Sequence, residues 1–124
     1  MTASRNSVQL IGNLAKTPEF KLSGNGSEFA TCSIATNEPV KKGDKWETEA
    51  EWHNLVLFGR FANAAKHLSK GSLIFIEGRL KSSKWKDKND NDVKSWQVIV
   101  SDLQMIGGKS SLGNNNEKEE QIII

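Results

Sequence analysis

Two aromatic rings six positions apart, Trp52 and Phe58, lie in the run TEAEWHNLVLFGR at residues 48–60. A third, Trp85, closes LIFIEGRLKSSKW at residues 73–85, where counting back by twos gives Ser83, Lys81 and Arg79. Alternate side chains of a strand share a face, so each stretch offers a flat ring beside polar or basic groups. That combination suits a ligand with exposed flat faces and negative charge. Stacking on an aromatic side chain is worth about 1–3 kcal/mol per base and is nearly blind to base identity, while Lys and Arg track phosphates. Three rings would supply on the order of 3–9 kcal/mol before ordering costs. Single strands fit this chemistry, because a duplex hides its base faces.

The same alternation divides the first run into two faces. His53, Leu55 and Leu57 share one; Trp52, Asn54, Val56 and Phe58 share the other. The leucines are the better core residues, which turns Trp52 and Phe58 outward, about 20 Å apart along the strand with Asn54 between them. For any one ring alone, core or interface packing is the commoner fate; several rings sharing faces with cations shift that balance. Lys66, Lys70, Lys84, Lys86 and Lys88 each read individually as solvated surface. His53 falls on the apolar face and reads as a packed or interface residue.

Catalytic and metal chemistry find little support. In KDKNDNDVK (86–94), Asp87, Asn89 and Asn91 occupy the first, third and fifth places of a calcium loop, but Asp92 stands where glycine is needed and Val98 where glutamate is needed. No glycine-rich phosphate loop, paired histidine motif or nucleophile–base grouping is present. No cofactor is expected. The single cysteine, Cys32, has no disulfide partner and no companions for zinc, which points to a reducing, cytoplasmic setting. The first residues, MTASRNSVQL, lack the pattern of a secretory or transit signal, and the longest apolar runs are too short to span a bilayer. Net charge is +2, unevenly spread: residues 1–116 hold 16 Lys and Arg against 12 acids, or +4, and residues 117–124 hold one Lys against three Glu, or −2.

At 124 residues the chain suits one domain plus a tail. The domain is expected over residues 1–108 and a short flexible acidic tail over 109–124, where Ser, Gly, Asn and Glu cannot bury enough apolar surface to fold. Strands are predicted over Val8 to Leu14, Phe29 to Thr36, residues 48–60, Leu73 to Trp85, and Trp96 to Val100 with Leu103 to Ile106. SGNGS at 23–27 marks a turn, and 40–51 a loop or edge ribbon. RFANAAKHLSKG at 60–71 changes period, with Phe61, Ala64, Ala65 and Leu68 forming one apolar helical face. Five strands with a short helix between the third and fourth is the order of an all-β OB-fold barrel, a fold whose outer face binds oligonucleotides or oligosaccharides; other small β-barrels share it.

The segments VQLIGNLAKTPEF, SIATNE, TEAEWHNLVLFGRFA, KHLSKGSLIFIEGRLKSSKW and LQMIGG closely resemble the bacterial-type single-stranded DNA-binding proteins (SSB), an OB-fold family also found in phages, plasmids and mitochondria. The likeness runs from about Ser4 to Gly108. It implies a homotetramer that wraps single-stranded DNA with little sequence preference in replication, recombination and repair. Trp52, Phe58 and Trp85 stand at three of the family's base-stacking positions, and Arg5, Arg60, Lys70, Lys81 and Lys84 at basic positions of its binding surface; Arg79 and Asn54 join them from the face pattern above. The resemblance puts His53 at a subunit interface and strand one, around Asn6, Val8 and Leu10, in pairing across a dimer. Two departures stand out. The family's earliest stacking Trp aligns with Pro39 or Val40, leaving Trp46 as its candidate replacement. The tail keeps acids before an apolar end, Ile122 to Ile124, but lacks the Pro-Phe with which chromosomal members recruit replication or repair proteins. The rival readings are a primosome-type accessory interaction module on the same fold and an oligosaccharide binder; the Lys-rich surroundings count against a neutral ligand.

Overall fold

Apolar residues recurring at every second position build most of the chain. The computed structural model describes residues 3–107, and the expected tail at 109–124 lies outside them. Among the described residues there are six strands and one helix: β1 (Val8–Leu14), β2 (Glu19–Leu22), β3 (Glu28–Lys42), β4 (Lys45–Phe58), α1 (Arg60–Ala65), β5 (Leu73–Lys86) and β6 (Asp92–Gly107). The sheet order is β1-β5-β6-β4-β3-β2, and β1 also pairs with β3, so the pairings from β1 through β5, β6, β4 and β3 return to β1. The core fills this circuit, with Ile34, Leu55, Leu57, Ile74 and Ile76 fully buried.

The sixth strand is the one the sequence pattern conceals. β1 pairs with β3 at Asn13↔Ala35 and Leu14↔Ile34, and β2 pairs with β3 from Glu19↔Thr31 to Leu22↔Glu28. β2 thus resumes, along the same partner, a course interrupted at residues 15–18. Pro18 has no N–H to give a ladder, and all four β2 side chains are exposed, so no buried alternation marks it. At the other end of the contact, a Cβ on Gly12 would run into the Ala35 carbonyl. Glycine is what lets β1 cross β3 this closely.

Two hairpins reach past the circuit as two-stranded ribbons. β3 and β4 remain paired as far as Lys42↔Lys45, so residues 40–51 form the ribbon alternative of the sequence reading. Gly43, at φ 64, takes the first place of the two-residue turn, where positive φ is needed. β5 and β6 remain paired to Lys86↔Asp92. Their loop is tied by the Asp87 carboxylate, which accepts the backbone N–H groups of Asn89 and Asn91, each at 2.9 Å.

The helix is shorter than its period suggests. After Ala65, backbone bonds from Lys66 to Asn63, His67 to Ala64 and Leu68 to Ala65 run i to i−3. Three residues per turn brings Ala62, Ala65 and Leu68 into line, and these are the buried ones, while Phe61 packs partly buried against the core.

Candidate nucleic-acid interface

The register places the outward residues of four strands on one continuous surface. From β3 to β4 the facing pairs are Lys41↔Trp46, Pro39↔Thr48, Asn37↔Ala50, Ala35↔Trp52, Ser33↔Asn54, Thr31↔Val56 and Phe29↔Phe58. The parallel pairing Val56↔Ile99 carries this face to β6, and Arg79↔Ile99, Lys81↔Gln97, Ser83↔Ser95 and Trp85↔Val93 carry it to β5. No Asp or Glu occurs among these β3, β4, β5 and β6 residues. The glutamates of the long ribbon all take the opposite face: Glu38 opposes Glu49, Glu47 opposes Val40 and Glu51 opposes Thr36. There Lys42 engages Glu49 at 3.0 Å and Glu47 at 3.9 Å. In the β3–β4 ribbon alternation has therefore sorted charge as well as hydrophobicity, leaving one side anionic and the other neutral to basic, while on β5 and β6 the outer side carries Glu77 opposite Asp102 beyond Arg79.

The rings on the acid-free face are open to solvent. Exposure is 67% for Trp46, 60% for Trp52, 45% for Phe58 and 48% for Trp85. Phe58 is steadied by Phe29, with ring centroids 5.6 Å apart and planes tilted by 35°, within the range of favourable aromatic pairs. Between the rings the surface is polar. The Ser33 hydroxyl donates to Asn54 Oδ1 at 3.1 Å, and Gln97 Nε2 donates to the Ser83 hydroxyl at 3.3 Å.

The other residues singled out by sequence divide into groups. Arg79 and Lys81 lie on the face of Trp85, whereas Lys84 lies on the reverse side of that ribbon, opposite Lys94. Arg5, Arg60 and Lys70 belong to no strand. The Arg60 guanidinium sits 4.9 Å from the Phe61 ring centroid, and the Lys70 backbone N–H donates to the Thr17 hydroxyl at 3.4 Å. Asn6 is engaged within the chain: its side-chain amide donates to the Leu80 carbonyl at 2.9 Å and accepts the Leu80 N–H at 2.8 Å. Val8 and Leu10 pack partly buried against the core. Their strand is hydrogen-bonded to β5 on one side from Val8 to Asn13, and on the other side meets β3 only at Asn13 and Leu14. The rest of that edge is open among the described residues. His53 is half-buried on the core face, its Nε2 2.9 Å from the Thr36 hydroxyl. Burial pushes the Cys32 thiol up to about 12, so it stays protonated at neutral pH. No group of three or more His, Cys, Asp or Glu side chains able to hold a metal occurs among the described residues, and no helix among them is long and apolar enough to cross a membrane.

Two residues escaped the sequence reading. Phe29 becomes visible as a partner of Phe58 only once the β3–β4 register is known. Trp96, 53% exposed, has the parity of the buried Val98 and Val100 and reads from sequence as one more core residue.

An open face of spaced rings flanked by cations, built on a closed circuit of strands with one short helix, defines an oligonucleotide-binding type of protein. The family model of the single-strand binding protein family matches residues 5–106, and the chain belongs to that family. Among solved structures it is similar to the Plasmodium falciparum SSB in complex with ssDNA, with 28% sequence identity and a TM-score of 0.76, over 85% of this chain and 97% of that one.

Proposed function

We propose that the chain binds single-stranded DNA without sequence preference, in replication, recombination and repair, through the outer face of β3, β4, β6 and β5 between Lys41↔Trp46 and Trp85↔Val93, a stretch that carries no carboxylate. Bases stack on Trp52, Phe58 and Trp85, and Trp46 serves in place of the family's upstream tryptophan, where this chain has Pro39 or Val40. Arg79 and Lys81 meet phosphates on the face itself. Arg5, Arg60, Lys70 and Lys84 meet them where the strand leaves it, and Asn54 offers a polar contact between the rings. The carrying observation is the segregation of carboxylates: four glutamates of one ribbon lie on the side away from its tryptophans. A surface that merely needed solubility has no reason to sort them. The role is binding rather than catalysis, and the OB-type circuit of strands acts as the rigid support.

The same reading takes the working form to be a homotetramer in the cytoplasm. The open edge of β1 from Val8 to Gly12 can accept a strand from a second copy. Across the neighbouring outer face, Ile11 is exposed opposite Phe75, an apolar pair suited to a further contact between copies. His53 at the rim of the core face joins these contacts. Recruitment of replication or repair proteins through the tail belongs to residues outside the described structure.

Titration with oligo-dT, oligo-dA and duplex, followed by tryptophan fluorescence at two salt concentrations, tests the proposal. Strong quenching by both single strands with steep salt dependence is expected. Equal affinity for duplex, or no binding to oligo-dT, refutes it.

A further inference from the structure

Past Gly78 on β5 and before Val98 on β6, the two strands pair only with each other among the described residues. The face that inside the circuit holds Ile74, Ile76, Val98 and Val100 therefore emerges into solvent. There it carries Leu80, Ser82 and Lys84 on β5, and Trp96 and Lys94 on β6. Two features of this reverse face call for a ligand. The Trp96 ring is half-exposed, with Lys94 Nζ 4.7 Å from its centroid. In addition, Lys84 stands directly opposite Lys94, and the ion pairs of the described residues include neither lysine. Like charges facing each other across two strands destabilise a sheet, and an anion between them removes that repulsion. Asp92, two residues from Lys94 on the same face of β6, is already held by Lys86 at 2.8 Å.

We infer that this reverse face is a second single-strand site, with Trp96 as a base platform and Lys84 and Lys94 holding a phosphate between them. It rests on the function proposed above. Trp85 pairs with Val93 on the front of the ribbon; Trp96 lies three residues on, about 10 Å along the strand and on the back. A single strand stacked on Trp85 rounds the free edge of the ribbon to reach Trp96, so the ribbon is gripped on both sides. Neutral ligands gain nothing from the paired lysines, and a duplex is too stiff to make the turn.

The test uses the full chain with Trp96→Ala, Trp96→Phe and Lys94→Gln. Each variant is checked for fold by circular dichroism and for oligomeric state by sedimentation, then titrated with oligo-dT over a range of salt. Trp96→Ala is expected to weaken binding at least about 5-fold and up to about 150-fold, as loss of one base stack does, and Trp96→Phe to restore most of it. Lys94→Gln is expected to lower the slope of log affinity against log salt by roughly 0.7, the value for one phosphate contact on a single strand. If the unsubstituted chain binds oligo-dT and Trp96→Ala loses less than about 5-fold, the second site is overturned while the main face stands. A loss that Trp96→Phe does not reduce overturns the stacking role. A change in oligomeric state with unchanged affinity per protomer makes the face a contact between copies and overturns the inference. Failure of the unsubstituted chain to bind oligo-dT removes this site and the main one together.

Discussion

The segregation of carboxylates can be challenged by putting one back. Ala50 is exposed on β4 between Trp46 and Trp52 and faces Asn37, so Ala50→Glu sets a carboxylate on the acid-free side. Two residues of strand separate it from Trp52, about 7 Å, and a phosphate beside a base on Trp52 lies at about that distance. The repulsion per phosphate is then about 0.6 kcal/mol in a fully aqueous dielectric and about 2.4 kcal/mol at the effective value of about 20 near a protein surface. A Debye length of about 8 Å at 0.15 M leaves roughly 40% of this, and one of about 30 Å at 0.01 M leaves roughly 80%. Affinity for oligo-dT should fall roughly 2- to 25-fold at the lower salt and about 1.5- to 5-fold at the higher. Ala50→Gln, of the same shape without the charge, is the reference, and fluorescence anisotropy with a labelled oligo-dT is the assay. Glu49→Gln on the opposite face should change affinity much less. Equal affinity of Ala50→Glu and Ala50→Gln at low salt would show that no backbone runs along this ribbon face, and the charge-sorting argument would fall.

Trp52→Ala and Trp85→Ala should each weaken oligo-dT binding by about 1–3 kcal/mol. Trp46→Ala should do so too if it replaces the upstream tryptophan, and affinity within error of the unsubstituted chain removes Trp46 from the site. Ile11→Glu, on the exposed apolar patch of β1, should lower the mass seen by sedimentation while leaving the circular dichroism of the protomer intact; an unchanged mass refutes the contact. Cys32 gives a pH signature. Its thiol pKa is raised by burial from 9.0 to about 12, so above pH 9 the unfolded chain releases a proton that the folded chain keeps. Stability must then fall as pH rises through the window from 9.0 to about 12, by roughly 1.4 kcal/mol per unit at most. Denaturant melts of the unsubstituted chain and Cys32→Ala across that window should converge as pH rises. Parallel stability curves refute the assignment.

Much of this molecule was legible because β alternation records burial directly. Leu55 and Leu57 are buried and Trp52 and Phe58 exposed because a strand in a closed circuit has only an inside and an outside, and the leucines mark the inside. The stretch from 40 to 51 was harder. Its polar run, interrupted by Gly43, resembles a loop, since a ribbon projecting beyond the core has no buried side to print an apolar pattern. β2 was lost for the same reason. The helix period misplaced one face because the chain tightens to three residues per turn after Ala65, a change that follows from tertiary packing and the return to β5. Trp96 shows where parity misleads. It shares the side of Val98 and Val100, but the circuit ends before it, and only the pairing partners reveal where a core face becomes a surface.

The exposed rings also account for their own affinity. A Trp side chain presents about 150–250 Å², so one that is 60% exposed, like Trp52, leaves on the order of 100–150 Å² in water. A base laid on one side of the ring covers roughly half of that. At about 25 cal/mol per Å² the gain is about 1.2–1.9 kcal/mol, inside the range of about 1–3 kcal/mol for a stacked base. No specific hydrogen bond is required to reach it, so binding by the proposed stacking is expected to be indifferent to base identity. The ribbons make this possible. By carrying Trp46, Trp85 and Trp96 beyond the core, they keep rings that would otherwise pack inside available for stacking. The closed circuit supplies the burial that holds the fold together, and the hairpins that outgrow it supply the surface on which a flexible strand can lie.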